Sequence, residues 1–589
     1  MTLDEGQAVS PFIDPKRGNE VVFESSLIVD ARDEFQFRLD GEGWASFKLN
    51  GETILEGDLP LESGTVELDA GPQQLFCNFR RAIEGGGQKA VPKPARIQLL
   101  WSGSDFLWEP VGPSRFRYLP NDLVESKDKT RHGRILFASA GCVRCHEPDE
   151  KHFSDSNAMP ELLESFPDFH GIGYRLNPGW IEQWIRKPEE HCPSVAPDSA
   201  ADIAAYFAEQ PWAVPLIAIP DGDAERGKEL ADSLHFGPWV EALTAEAKFT
   251  KEGLIDFLRT PSKHHPDTTF PELKLNLKEA ADLTAFILSK QPEVPQPAPG
   301  DPARGKLMVE KRCLVCHEPD PAKRPPYEFT SSPLTEMWEA EWLLTGCLST
   351  EEANQPELGL SLEEKQALLA FRNVDSGQGL KSLARFVPHE YANRAMERLS
   401  CNECHSGKNA LPDISLAGEK LRDEWLAGLF HGEVLPVRPY QEARMPAFPS
   451  RADKLARGLA HRAGQPTREG LVAPDPPLAD AGEKIAGLTG YACNTCHAVG
   501  AIGALQAFEG QGPNLQLSGE RLREGYYHAW MHWPQRFIPT TIMPKYTADK
   551  ETALNPTFFE GDSRKQFEAL WQWMQTLEGA ENAPVGEKH

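Results

Sequence analysis

The sequence predicts a multidomain chain: an all-β sandwich at the N-terminus followed by five all-α units. Three observations carry this reading. The first hundred or so residues alternate apolar and polar side chains and are punctuated by glycine, the pattern of half-buried strands. The remainder repeats amphipathic helices whose apolar residues recur three and four apart, so each has one face to bury. At 589 residues the chain is too long for a single hydrophobic core.

Residues 1–18 read as a tail and 19–120 as the β-domain. Its strand runs are VFESSLIVD, EFQFRLDGEGWASFKLNGETIL, GTVELDAGPQQLFCNF and PARIQLLW. Asn50-Gly51, between SFKL and ETIL, predicts a two-residue hairpin turn.

The helical units read as 125–212, 218–292, 298–377, 384–465 and 476–580. Each carries an approach helix, an amphipathic middle helix, an x-Pro step and a closing helix. The approach reads RHGRILF, ERGKEL, ARGKLM and, more loosely, DAGEKI. The closing helix reads SAADIAAYFAEQ, LKEAADLTAFILSK, SLEEKQALLAFRNV, RADKLARGLAHRAG and DSRKQFEALWQWMQTL, with Ser361 and Glu364 forming a capping-box signature. QPEVPQPAPG (291–300), VAPDPPLADAG (472–482) and AVPLIAIPDGD (213–223) read as linkers.

Eight of the eleven cysteines fall into four C-x-x-C-H motifs: Cys142/Cys145/His146, Cys313/Cys316/His317, Cys401/Cys404/His405 and Cys493/Cys496/His497. Two thiols at this spacing reach the two vinyl groups of one haem, and the adjacent His is placed under the iron. Paired zinc knuckles leave four His without a purpose, and thioredoxin-like redox chemistry lacks its βαβ context. Four covalently bound haems c, each holding iron, are expected. The unit 218–292 has no such motif, and KELADSLHFGPW runs through the place where it belongs, so this unit is expected to be haemless. Its His235, His264 and His265 read as exposed loop histidines.

The region 125–580 resembles class I cytochrome c domains in tandem, as in bacterial multihaem cytochromes, and GQGPNL (510–515) resembles the Gly-Pro-x-Leu segment of that fold. The resemblance implies electron transfer, a periplasmic or extracellular location, and a sixth iron ligand from a loop methionine. Met445-Pro446, 40 residues after His405, and Met543-Pro544, 46 after His497, fit that slot. Aligning the closing helices puts Cys192-Pro193, Phe270-Pro271 and Gln355-Pro356 in the same slot of the first three units. For the first haem three readings stay open: Cys192 as thiolate ligand, His191 as ligand, or Cys192 buried or disulfide-bonded, with Cys347 as a partner. For the third, Gln355 is a poor ligand; Met337 or Cys347 serve, or the sixth position is open.

Phe37, Leu39, Gly43, Trp44, FKLNG, LDAG and IQLLW resemble the PA14 domain, a β-sandwich linked to carbohydrate binding or adhesion. The acidic pair of that family reads here Asp40-Gly41-Glu42. A docking or packing role is the competing reading for this domain.

The net charge of −27 argues against nucleic-acid binding and favours cationic redox partners or solubility. No apolar run is long enough for a membrane helix. MTLDEGQAVS shows no signal peptide, so with covalent haem the chain is expected to be a mature or expressed form. The leading functional expectation is an electron carrier between redox partner proteins, with no catalytic residue assigned. The alternatives are a haem-dependent oxidoreductase using the first or third haem and a surface or carbohydrate-binding protein.

Overall fold

The computed structural model describes residues 1–577 apart from 6, 8, 15, 17–18, 86–90, 118–120, 147–157, 163, 165–168, 170, 188–194, 210–218, 315–316, 318–332, 343–347, 350–359, 406–413, 435–436, 439–443, 467–472 and 506–509. An N-terminal β-region is followed by a helical remainder.

The main strands are β1 (Glu20–Val29), β2 (Asp33–Glu42), β3 (Trp44–Leu49), β4 (Glu52–Asp58), β5 (Gly71–Arg80) and β6 (Ala95–Ser102). They form two antiparallel sheets. One runs Phe116–Arg117, β1, β5, β3, β4; the other runs Thr2–Leu3, β6, β2, Leu61–Glu62. Alternation buries Phe35, Phe37 and Leu39 of β2 and Phe47 of β3 between the sheets, where Phe35 stacks on Trp101 at 5.3 Å. The β3–β4 turn places Asn50 at φ 51° and Gly51 at φ 87°, as an Asn-Gly hairpin requires. Residues 1–18 are not simply a tail: Thr2–Leu3 pairs with β6 and is buried.

The helices that matter below are α1 (Asp122–Ser139), α2 (Pro178–Arg186), α3 (Pro197–Ala208), α4 (Ala224–Ser233), α5 (Lys251–Arg259), α6 (Leu277–Leu288), α7 (Pro302–Met308), α8 (Leu334–Glu339), α9 (Leu362–Arg372), α10 (Ser376–Leu383), α11 (Pro388–Arg398), α12 (Asp423–His431), α13 (Ala452–Arg462), α14 (Pro476–Ala486), α15 (Glu524–His532) and α16 (Ser563–Thr576). The Ser361–Glu364 capping box opens α9 with both reciprocal bonds.

First and last helices cross within 218–292 (α4 on α6), 384–465 (α11 on α13) and 476–580 (α14 on α16). The other two segments depart from the order of the repeats. α1 packs on α9, and α7 packs on α3, so 125–212 and 298–377 exchange their first helices. A glycine marks each crossing. A Cβ on Gly133 of α1 would lie 1.9 Å from the Ala367 carbonyl oxygen of α9, and one on Gly305 of α7 would lie 2.0 Å from that of Asp202 in α3.

The physical reason lies in the side chains beside those glycines. In 218–292, Arg226 donates to Asp282 at 3.1 and 3.2 Å, and the Asp223 amide donates to the same carboxylate at 2.7 Å. The same three bonds join α7 to α3: Arg304 donates to Asp202 at 2.9 and 3.0 Å, and the Asp301 amide at 2.7 Å. The α1 residue in the Arg position is His132, and α9 has Ala367 in the Asp position, so α7 and α3 are the matched pair. The linker 291–300 lies along α2, its Ala298 amide donating to Glu182 at 2.6 Å, and so delivers α7 to α3.

Helical segments join through short antiparallel bridges. Asn177 donates its amide to Lys248 at 2.9 Å and Thr250 to Arg175 at 3.0 Å; Arg422 donates to Arg521 and Arg523 to Lys420, both at 3.0 Å. The sandwich docks on the last two segments. Arg536 ion-pairs with Glu109 and lies 3.6 Å over the Phe106 ring, Trp533 packs on the sandwich core, and Gln98 donates to the buried Glu419 carboxylate.

Candidate functional sites

The turn at 493–497 is the most completely described. Ala492 at φ 53° leads into a single 3₁₀ turn, and the His497 amide donates to the Cys493 carbonyl at 2.9 Å. Both cysteines and the imidazole therefore sit on one turn. His497 Nδ1 donates to the Pro513 carbonyl at 2.7 Å, which leaves Nε2 with the lone pair. Burial lowers the pKa of His497, which favours the neutral ring, the form that ligates a metal. Gly512 lies flat against this ring: a Cβ there would be 2.3 Å from the imidazole.

The two cysteines of this motif are not equivalent in burial. Cys493 packs into the Tyr491–Met574 core, and burial pushes its thiol up to about 12. Cys496 is exposed. The physical reason is its place at the end of the turn. Its amide donates to the Cys493 carbonyl at 3.2 Å and its carbonyl accepts from the Gly512 amide at 2.8 Å, so its backbone faces the 510–514 segment and its side chain stays at the open edge.

Met543 packs into the same cluster as Cys493, with Tyr491 and Tyr546. Its Sδ accepts from the Trp530 indole at 3.0 Å and its carbonyl from Gln535 at 2.7 Å. The residues suit a haem. One thiol and a thioether share a core, an imidazole oriented through Nδ1 adjoins the thiol on the same turn, and Cys496 offers the second thiol from the exposed edge.

At 401–405 the motif is a short helix, with Cys401 packed against the Tyr391–Leu459 core and its thiol pushed up to about 11 by burial. Met445 is 38% exposed, between Arg444, which binds Glu279 at 2.6 Å, and Ala447, which is bridged to Glu272.

At 142–146, Cys142 and Val143 pack with Phe137, Trp338, Trp342 and Phe371, and Met337 joins the same cluster. The Cys145 side chain lies outside the described residues. At 313–317, a π-helical turn over Val309–Cys313 precedes the motif, and Cys313 and Leu314 pack with Ile172, Trp180, Ile203 and Phe207. The Phe169 ring stacks on His317 at 4.7 Å. Cys316, Cys347, Gln355, His191 and Cys192 lie outside the described residues.

In 218–292 the slot residue Phe270 packs edge-on to Phe236 at 5.6 Å and against Phe257 at 4.7 Å. His235 is exposed as expected, but His264 is buried, between Asp256 at 3.2 Å and Arg175 at 3.4 Å, because α5 and the 169–177 segment close over it.

Asp40 of the Asp-Gly-Glu run pairs with Arg96 at 3.2 Å, which ties that carboxylate to the neighbouring strand. Sequence reasoning missed Glu524, His528 and Glu568, whose ligand atoms converge within 4.8 Å. The i, i+4 spacing of the first two was a signal; Glu568 comes from α16 and required the fold.

No family model matches the chain, and no curated protein matches it. A search of solved structures returns an anti-sigma factor domain-containing protein from Clostridium clariflavum. The two share 15% identity at a TM-score of 0.15, over 17% of this chain and 33% of that one. The chain thus spans about a third of that protein's length.

Proposed function

We propose that the chain is a tetrahaem c-type cytochrome that passes electrons between extracytoplasmic redox partners. The observation that supports it best is the 493–543 arrangement, in which a C-x-x-C-H turn, an imidazole held through Nδ1 and an inward-turned methionine lie together. The motif occurs four times in the sequence. Haem c supplies a one-electron iron couple. The chain's residues anchor it through Cys142/Cys145, Cys313/Cys316, Cys401/Cys404 and Cys493/Cys496, and present His146, His317, His405 and His497 to the irons. Pro513 fixes the orientation of His497, and the Tyr491–Met574 core around Cys493 excludes water. The exposed Cys496 would hold its haem from the surface side of the turn. Met543 and Met445 are the thioether donors of this reading. The sandwich acts as a packing body, supported by its ion pair and indole contacts with the last helical segment. A negative chain favours cationic partner surfaces.

Mass spectrometry of the protein matured in a periplasm tests this. The expected mass is that of the polypeptide plus four haems, falling by one in Cys493→Ser/Cys496→Ser. A mass equal to the bare polypeptide overturns the reading. Met543→His is expected to lower the reduction potential of one haem, read by redox titration, because it replaces a thioether with a better donor to ferric iron.

A further inference from the structure

The helix exchange carries a consequence for the two haem sites that lack a methionine in the aligned slot; it rests on the haem reading above. We propose that these sites are reciprocal: the haem anchored at Cys142 and His146 sits in a pocket built with α8, α9 and α10, and the haem anchored at Cys313 and His317 sits in one built with Phe169, α2 and α3.

The side chains around each motif point the same way. Cys142 and Val143 pack against a cluster that joins Trp338, Trp342, Leu368 and Phe371 of the later segment to Leu136 and Phe137 of α1 and to Met159 and Leu162. Cys313 and Leu314 pack on Ile172, Trp180, Ile203 and Phe207, all from the earlier one. Phe169, of the earlier segment, stacks on His317 at 4.7 Å. Val195, just past the aligned Cys192 slot, packs in the Cys313 cluster and donates its amide to Ile185 at 2.9 Å. The crossings are built in, by Gly133 on Ala367 and by the Arg304–Asp202 pair.

The sixth-ligand assignments therefore change partners. The iron on His146 draws its donor from α8, where Met337 packs in the Cys142 cluster. Haem order along the chain is then not haem order through the fold.

Two measurements on the full-length haem-loaded protein test this. Lysine-reactive cross-linking with mass spectrometry is expected to join Lys129 to Lys365, since Lys129 Nζ lies 2.9 Å from Gln366 on α9. Lys129 joined only to residues outside 362–372 overturns the exchange. Carbon monoxide titration of the reduced protein reads the ligand. Met337→Ala is expected to add one equivalent of carbon monoxide. The gain persists when the third haem is removed by Cys313→Ser/Cys316→Ser and vanishes when the first is removed by Cys142→Ser/Cys145→Ser. The opposite dependence, or no gain in any background, overturns the assignment. A protein without haem absorbance refutes the cytochrome reading instead, and cross-linking still reports the exchange.

Discussion

Gly133→Ala tests the packing of α1 on α9 by a single methyl group. On an isolated helix this substitution stabilises, by about 1 kcal/mol, because alanine loses less backbone freedom. Here the new Cβ would lie 1.9 Å from the Ala367 oxygen, 2.5 Å from its carbon and 2.8 Å from Phe371 Cβ. A carbon–oxygen contact needs about 3.3 Å, so the helices must part by more than about 1 Å. That separation also loosens the Phe137–Phe371 ring pair at 5.7 Å. Overpacking of this kind costs about 1–3 kcal/mol, and with the propensity gain deducted the α1–α9 contact loses about 1–2 kcal/mol. Native-state hydrogen exchange resolves this locally, which a single melting temperature of a multidomain chain does not. Amides of 362–372 are expected to exchange about 5- to 30-fold faster, with 197–208 unchanged. Acceleration in 197–208, or none anywhere, refutes the reasoning. Gly525→Ala is the control: nothing lies near its Cβ position, so protection in α15 rises by a few tenths to about 1 kcal/mol.

Asp202→Asn is expected to loosen α7, with faster exchange over 302–308 and none over 224–233, while Asp282→Asn does the reverse. Phe567→Ala, at a fully buried ring in the Cys493 core, is expected to cost about 3–5 kcal/mol in the unfolding of 476–577 by urea. Glu419 is raised by burial from an ordinary 4.5 to about 7, partly opposed by donors from Gln465 and Gln98. Between those values the folded chain holds a proton that the unfolded chain has released. This contribution to stability is complete below about pH 4.5 and is lost as pH rises through about 7. Glu419→Gln therefore flattens the stability–pH curve over that window, and an unchanged slope counts against the assignment.

Local chemistry was legible from residue order. Period-two alternation marked the strands, Asn50-Gly51 marked its turn, and Ser361 with Glu364 marked the start of α9, because each depends on neighbours within a few residues. The C-x-x-C-H motifs are local in the same sense. Their unequal burial is not: spacing treats Cys493 and Cys496 alike, and only packing against distant segments separates them. The slot at Phe270 was also readable, and it is filled by rings from its own segment. The Asp-x-x-Arg run at 223–226 and its partner Asp282 have a sequence twin in Asp301, Arg304 and Asp202, so the exchange had a signal. Order along the chain outweighed it.

The sequence by itself determined the strands, the helices, their repeat and the four C-x-x-C-H motifs, because these are set by periodicity and spacing. Only the tertiary structure decided which helix closes on which, where Glu568 meets His528, how the sandwich meets Glu419 and Arg536, and that Met445 and Cys496 stay at the surface while Met543 and Cys493 turn inward. Those outcomes depend on side-chain complementarity between distant segments. A repeated fold offers several near-equal partners for every helix, and one glycine contact or one Arg–Asp pair is enough to choose among them.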